Sequence, residues 1–381
     1  MRLTRSGRAV AAGCVLLLVA GWALGYQEVA LWGAACGVAV LLAMAWFLVP
    51  VPLAVSRRVD RARLPRGTPA YGNVTVTNRT KRFTGPLTLV EPVGAERVTV
   101  ALGRLAARST REASYALPTE RRGVVTVGPL EVIRHDPLGL AARSFPAGTS
   151  ETVWIHPAVL PLRFQPPGRF EPTEGAASDL LPVGSPTFQS VREYVAGDDP
   201  RLIHWRATAH HGSLMVRQHI ETTEPRTTVV VDTCGDRYDT PERFEQAMDV
   251  AASVVVAAVG AGHLVRLWAT SGFSTASAGW DPTPCLDALA ELAPGGDDRL
   301  AGLVHAVAEH SSRSSLVVVT GEVAGGHLRA IGEQSARFQV AVVASLQPLE
   351  HPMLTAPAGV TVLAGSDAAG VAEAWRRGAR W

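Results

Sequence analysis

The residues with the greatest capacity for chemistry cluster in one polar segment near the middle of the chain. The carboxylates of Asp198 and Asp199 precede the imidazole of His204, and these groups could hold a metal ion that activates water for hydrolysis. However, His204 and His210 lie six residues apart, whereas two helical histidines that share a zinc ion are typically four apart. Adjacent side chains such as His210 and His211 point in different directions in a helix or a strand. A metal-dependent hydrolase that uses Asp198, Asp199 and His204 is therefore the alternative function, not the leading one.

The same segment also has the features of a surface that binds a partner. Arg192, Arg201 and Arg206 could bind a carboxylate or a small anion through their planar guanidinium groups. An architectural role is open as well, because Asp199 could cap a short helix that begins at Pro200, with Ile203 and Trp205 anchored in a core. The candidate partner-binding residues are Arg192, Tyr194, Asp198, Asp199, Arg201, His204, Trp205 and Arg206.

Other catalytic motifs are absent from the sequence. Cys234 follows an apolar strand, but no Cys-His signature accompanies it, and no Gly-x-Ser-x-Gly motif occurs. Lys81 is the only lysine and lies in a region of predicted strands, so the chain cannot contain a phosphate-binding loop of the Gly-x4-Gly-Lys type. The sequence therefore predicts a protein that is not an enzyme.

The elements that must position these residues begin with two apolar stretches at the N-terminus, residues 9–25 and 29–49. Glu28 is the only charged residue within or between them. As helices they would be about 25 and 31 Å long at roughly 1.5 Å per residue, which is enough to cross the hydrocarbon core of a bilayer. We therefore expect residues 1–54 to form a pair of transmembrane helices with basic flanks.

Positive charge on both flanks sets the expected orientation of these helices. Three arginines precede the first stretch, five lie between positions 57 and 66, and the connecting turn has none. By the positive-inside rule, both flanks lie in the cytoplasm. The sequence thus predicts a multi-pass membrane protein with most of its chain in the cytoplasm.

A net charge of +2 gives no reason to expect binding to nucleic acid.

Composition divides the rest of the chain into three parts. Residues 55–160 contain short alternating strands such as Asn73–Thr77, separated by regular turn signals, which is typical of a β-sandwich-like domain. Residues 161–225 comprise a linker rich in proline and glycine and the polar segment described above. Residues 226–381 alternate apolar strands with helices, beginning at Thr227–Val231, and this pattern predicts a parallel sheet covered by helices.

Asp232-Thr-Cys-Gly-Asp236 follows the first apolar strand of the last part, and in this loop the sequence resembles a von Willebrand A (vWA) domain, which is a Rossmann-type α/β fold. Asp232 stands after the first strand, where that family has the aspartate of a magnesium-binding Asp-x-Ser-x-Ser motif. Cys234 and Asp236 replace the two serines, and Thr320 is followed by Gly-Glu rather than by Asp-Gly. The resemblance leaves Asp232, Asp236 and Thr320 as candidates for a degenerate Mg²⁺ site. Because a thiol is a soft ligand for this hard cation, we expect a vWA-like scaffold without a cofactor.

The polar segment gives a second resemblance, which covers the whole chain. Arg192-Glu-Tyr194, Gly197-Asp-Asp-Pro-Arg201 and Ile203-His-Trp205 are similar to the signature of the DUF58 family. The sequence from Asp136 to Leu140 in the β region is also similar to that family, whereas His210 stands where the family usually has arginine.

This resemblance implies both an architecture and a function. DUF58 proteins are bacterial membrane proteins of unknown biochemical function, with two N-terminal spans, a β-rich domain and a vWA-like domain. They are commonly found beside MoxR-type AAA+ ATPases, and sometimes with transglutaminase-like membrane proteins. We therefore expect a non-enzymatic adaptor in the bacterial inner or plasma membrane whose cytosolic vWA-like domain binds protein partners. A MoxR-type ATPase would be the partner, in an envelope-related assembly or chaperone-like system.

Overall fold

The protein forms two compact units in a computed structural model. The model describes residues 1–164, 187–195, 200, 203–220, 225–310, 314–347 and 356–378, with the backbone alone at 187–192 and 217–220. The first unit comprises Met1–Val159 together with Leu286–Ala293, and the second comprises Leu160–Cys285 and Pro294–Trp381.

Two long helices stand at the start of the first unit. Helix α1 (Arg5–Leu24) begins after Thr4, whose hydroxyl accepts a hydrogen bond from the first turn, and ends at Gly25 in the left-handed conformation. Helix α2 (Gln27–Ala45) continues into a 3-10 helix (Trp46–Leu48). Both helices are long and apolar enough to cross a membrane. The predicted pair of apolar helices is confirmed, and α1 extends N-terminally beyond the apolar stretch because Thr4 caps it.

Glycine allows the two helices to approach closely. A Cβ atom on Gly21 would lie 2.6 Å from the backbone nitrogen of Ala30, and one on Gly33 would lie 2.9 Å from the backbone nitrogen of Leu18. Small residues permit this contact between helix backbones, which apolar surroundings alone would not drive.

The remainder of the first unit consists mainly of strands in two sheets. Strands β2, β4 and β7 form the smaller sheet, and the other eight form the larger. Alternate residues of the strands point into one shared hydrophobic core that includes Val76 of the smaller sheet and Leu89 and Val132 of the larger. In chain order the strands are β1 (Arg2–Leu3), β2 (Leu53–Val59), β3 (Arg63–Pro65), β4 (Tyr71–Asn78), β5 (Leu87–Val93), β6 (Glu96–Gly103), β7 (Thr110–Ala116), β8 (Gly123–Val127), β9 (Leu130–His135), β10 (Ala141–Ala147) and β11 (Glu151–His156).

The start of the chain is attached to this sheet. Arg2 pairs with Ala142 in an antiparallel register, so β1 forms one edge of the larger sheet. Next to it, the backbone N–H of Thr4 donates to the carbonyl of Leu140 at 3.0 Å. Phe47, which follows α2, packs in a cluster with Leu140. Both ends of the helical pair therefore meet the same side of the β domain.

The second unit alternates strands and helices, as predicted for residues 226–381. Its parallel strands are continuous apolar runs, and all six residues of β17 are buried. Residues Val230 and Val318 share a core with α6 and α7, while α4 and α8 contact each other. The elements are β14 (Arg226–Val231), α4 (Pro241–Gly260), β15 (Leu264–Ala269), β16 (Ser274–Ala276), α5 (Thr283–Glu291), α6 (Leu300–His310), β17 (Ser315–Thr320), α7 (Gly325–Ser335), β18 (Val340–Leu346), β19 (Val360–Gly365) and α8 (Ala368–Gly378).

The strand order of this sheet is β16-β15-β14-β17-β18-β19. Strand β16 is antiparallel, and the other five are parallel. Counted along the chain, the order is 3-2-1-4-5-6, which is the order of Rossmann-type folds. Strands β15 and β16 lie on one side of β14, and the chain then continues on its other side with β17. The carboxyl ends of β14 and β17 therefore form the crevice where such folds bind ligands.

The polar segment forms a separate ribbon within the second unit. Strand β12 (Thr187–Glu193) pairs in antiparallel fashion with β13 (Met215–Ile220), and helix α3 (Trp205–His211) lies between them in the chain. Met215 and Val216, the first two residues of β13, are buried.

Candidate functional site

Helix α3 is fixed at both ends by its own sequence. The Nδ1 atom of His204 accepts a hydrogen bond from the backbone N–H of Ala207 at 3.1 Å, which caps the first turn. Gly212 follows the last turn in the left-handed conformation, with φ +71°. Because Nδ1 of His204 accepts this bond, only its Nε2 atom could bind a metal ion, and the carboxylates of Asp198 and Asp199 lie outside the described residues.

Three exposed apolar residues lie next to the backbone hydrogen bonds that connect this segment to β13 and the residue before it. The backbone N–H of Tyr194 donates to the carbonyl of Leu214 at 2.7 Å, and that of His204 donates to the carbonyl of Met215 at 2.8 Å. Val195 and Trp205 directly follow the two donor residues and Leu214 supplies one of the acceptors, and their exposed fractions are 63%, 68% and 44%. We call this group of three residues the signature surface.

The exposure of Trp205 corrects the architectural interpretation of this segment. That interpretation anchors Trp205 in a core, but Trp205, the first residue of α3, is exposed to solvent. Arg206 is also exposed, while Tyr194 is half-buried. Of the other predicted residues, Asp198, Asp199 and Arg201 lie outside the described residues, and Arg192 is described by its backbone alone, opposite Val216.

The crevice between β14 and β17 contains a buried carboxylate. Asp232 follows β14 and is fully buried. Its Oδ2 atom accepts a hydrogen bond from the hydroxyl of Thr320 at 2.9 Å, and its Oδ1 atom accepts one from the backbone N–H of Cys234 at 3.0 Å. The hydroxyl of Thr270 lies 3.4 Å from the same Oδ1 atom. The protein itself thus satisfies the carboxylate at the ends of three parallel strands.

This arrangement does not fit the magnesium ion that a vWA fold implies. Asp232 is occupied by the hydrogen bonds just described, and Asp236 is exposed, as is Glu322. Within the part of the chain that the structure describes, no group of three or more His, Cys, Asp or Glu residues could hold a metal ion. We therefore derive no chemistry from a metal at this position.

An ion-pair cluster lies at the same edge of the sheet, and no motif in the sequence predicts it. Arg237 donates to the carboxylate of Asp298, and Nε2 of His327 lies 2.9 Å from an oxygen of the same group. Burial raises the pKa of Asp298, but hydrogen bonds and charge from Arg237 and His327 outweigh this effect and hold it below its ordinary value. The loops at the carboxyl edge are thereby tied together. The three residues come from distant parts of the chain, so no local motif could have indicated them.

Comparison with known proteins gives one family match. Residues 190–370, which include most of the ribbon and all six strands of the α/β sheet, match the family model DUF58, described as a protein of unknown function. No curated protein matches the chain.

Solved structures are similar to parts of the chain only. The CARDB domain of the PF1109 protein from Pyrococcus furiosus is 7% identical, with 28% of this chain and 97% of that chain covered and a TM-score of 0.21. The sporulation control protein Spo0M from Bacillus subtilis is 12% identical, with 28% of this chain and 50% of that chain covered and a TM-score of 0.19. With TM-scores this low, neither structure informs the function of this chain.

Proposed function

The chain belongs to the DUF58 family, and from that premise we propose that it is a membrane-anchored, non-enzymatic adaptor that binds protein partners. The signature surface carries this proposal. Its three apolar side chains lie in the region that matches the family model, and an exposed tryptophan at a defined position is typical of the residues that dominate protein–protein interfaces.

Membrane anchoring is supported by the exposure of the helical pair. Trp22 of α1 is 86% exposed, and Leu41 and Leu42 of α2 are each more than 60% exposed. In water, these apolar side chains would need a partner to cover them, whereas the hydrocarbon core of a bilayer is a favourable environment for them. Because both ends of the pair meet one side of the β domain, that domain and the N-terminus lie on one side of the membrane.

The orientation follows from the charges near the helix ends. Arginines at positions 2, 5 and 8 precede or begin α1, and the turn from Gly25 to Gln27 has no positive charge. By the positive-inside rule, the turn faces outward and the β domain and α/β unit lie in the cytoplasm of a bacterial cell. The protein would then be a multi-pass protein of the inner or plasma membrane.

The α/β unit provides the scaffold of the adaptor. Its 3-2-1-4-5-6 strand order supports a vWA-like fold of the Rossmann type. In this unit the buried carboxylate of Asp232 accepts a hydrogen bond from Thr320, and we assign partner binding to the segment that contains Trp205.

We infer from the family resemblance that a MoxR-type AAA+ ATPase is the partner, with a transglutaminase-like membrane protein as a further member of the assembly. The adaptor would hold the ATPase at the membrane in an envelope-related assembly or chaperone-like system. Such a role requires an exposed surface of moderate size in the cytosol, which the signature surface would provide. It requires no catalytic group on the adaptor.

Co-purification from native membranes tests this function. The tagged chain, extracted in mild detergent, should retain a MoxR-type ATPase that mass spectrometry identifies in ATP-bound or ADP-bound conditions. Trp205→Ala should reduce its retention roughly tenfold or more, because a central aromatic residue contributes about 2 kcal/mol or more to an interface. Trp280→Ala is the matched control, since Trp280 is 63% exposed in the same unit. Absence of any AAA+ ATPase under every nucleotide condition would contradict the proposal.

A further inference from the structure

A cleft of about 810 Å³ lies where α2 meets the β domain. One wall is apolar and consists of Leu42, Trp46 and Val49 from the end of α2 and the residues that follow, with Phe83 opposite. The ring centroids of Trp46 and Phe83 are 5.7 Å apart. Leu42 belongs to the exposed side of α2, so the apolar wall is continuous with the part of the helix that would face lipid.

The other wall carries the positive charge of Lys81, Arg82 and Arg134. The side chains of Lys81 and Arg82 are exposed and form no ion pair in the described part of the chain. No Asp or Glu is among the residues that line the cleft. These two cations therefore lack a compensating negative charge beside an apolar surface.

A buried asparagine fixes the loop that carries them. Asn78 is fully buried, and its Nδ2 atom donates to the carbonyls of Arg82 at 2.7 Å and Ala106 at 2.9 Å. Its Oδ1 atom accepts hydrogen bonds from the backbone N–H and the hydroxyl of Thr80. Lys81 and Arg82 thus project from an ordered backbone, which limits the entropy lost on binding a ligand.

Arg134 forms the floor of the charged wall. Its Nη2 atom donates to the carbonyl of Trp46 at 3.1 Å, and its guanidinium lies 5.0 Å from the ring centroid of Phe47. Its Nε atom is buried without a hydrogen-bond partner among the described residues. Burial and the nearby charge of Arg143 lower the pKa of Arg134, so an anion in the cleft would relieve an unfavourable charge.

We propose that this cleft binds an anionic phospholipid. The phosphate would lie between Lys81, Arg82 and Arg134, and the acyl chains would follow the apolar side chains of α2 away from the β domain. Lysine and arginine bind phosphate through charge-assisted hydrogen bonds, and basic pockets beside transmembrane helices on the cytoplasmic side favour lipid head groups. This inference rests on the membrane anchoring proposed above, and it assigns the cleft a role distinct from protein binding.

Native mass spectrometry of the full chain in mild detergent tests the inference. Dioleoylphosphatidylglycerol and dioleoylphosphatidylcholine are added separately at equal concentration. The wild-type chain should retain phosphatidylglycerol in preference to phosphatidylcholine. The double variant K81Q/R82Q should lose this lipid about fivefold for each charge removed, since a basic side chain near an anionic surface contributes roughly that factor. Because both side chains are exposed, the variant should fold, and its thermal unfolding should match the wild type.

The control is R97Q/R121Q, which removes the same charge from exposed positions of the same unit outside the cleft. Equal retention of the two lipids by the wild type, or undiminished phosphatidylglycerol on K81Q/R82Q, would overturn the inference. Full displacement of the lipid by millimolar inorganic phosphate would do so too, because the cleft would then select free phosphate. Failure of anchoring is distinguishable, since an alkaline wash would release the wild-type chain from membranes.

Discussion

Among single residues of the β domain, Arg57 and Glu91 form a buried ion pair. Their side chains are 4% and 1% exposed, and Nη1 of Arg57 lies 2.7 Å from Oε1 of Glu91. Burial disfavours the charged guanidinium, but hydrogen bonds to Glu91 and Glu151 outweigh this effect and raise the pKa of Arg57. Gly128 lies against the pair, and a Cβ there would be 2.2 Å from Nη1 of Arg57.

Replacing the arginine should therefore destabilise the domain strongly. Arg57→Met leaves the Glu91 carboxylate buried without its cation, which should lower the free energy of unfolding by about 3–5 kcal/mol. Chemical denaturation of the detergent-solubilised chain measures this loss. Arg58→Met is the matched control, because Arg58 is the next residue of the same strand and is exposed. Equal stability of the two variants would show that the pair does not stabilise the fold.

The residues of the candidate sites were only partly predictable from the sequence. A local motif indicates Trp205 as a candidate, but its exposure depends on the fold and not on the motif. No motif indicates Asn78 or Arg134, because their partners lie elsewhere in the chain or in the helical pair. Sequence position predicts that Arg57 is a charge beside the membrane, whereas β2 places it in a buried ion pair.

At the scale of elements, apolar patterning predicted most of the second unit. Strand β14 (Arg226–Val231) extends the predicted apolar run Thr227–Val231 by one residue. Continuous β-branched runs give this accuracy because both faces of each strand are buried. The short strands β1 and β16 escaped prediction, since two or three residues have no periodicity and pair only when the fold supplies an edge.

The helical pair gives a prediction at this scale. Gly21→Leu should force α1 away from α2, because the space beside Gly21 is taken by the backbone of Ala30. An overpacked contact costs about 1–3 kcal/mol, which thermal unfolding in detergent would detect as a lower midpoint. Gly13→Leu serves as the control in the same helix, since a Cβ on Gly13 would meet no atom within 4 Å. If both variants unfold at the wild-type temperature, the helices do not pack through Gly21.

At the scale of the whole molecule, the proposed anchoring would place the β domain next to the membrane, because both ends of the helical pair contact this domain. Of the five arginines after α2, Arg57 forms a buried ion pair with Glu91, and Arg63 forms an ion pair with Asp287. The cleft instead presents Lys81 and Arg82 beside α2. With the proposed anchoring, tertiary folding as well as sequence order would place positive charge beside the membrane, which a count of flanking arginines does not reveal.

This arrangement predicts which positions are accessible from outside the cell. In a cysteine-free chain, Tyr26→Cys in the turn between the helices should react with a membrane-impermeant maleimide in intact cells. Glu96→Cys, at an exposed position of the β domain, should react only after the cells are opened. Labelling of position 96 in intact cells would place the β domain outside and contradict the orientation.

Site-specific photo-crosslinking from position 205 is the most direct measurement of partner binding by the signature surface. A photoreactive phenylalanine analogue replaces Trp205 in one chain and Trp280 in another, and the products are identified by mass spectrometry from cells that contain the native partners. We predict a crosslink to a MoxR-type AAA+ ATPase from position 205 that is absent from position 280, although both side chains are similarly exposed. No crosslink to such an ATPase from position 205, or equal crosslinking from both positions, would contradict an adaptor that binds through this surface.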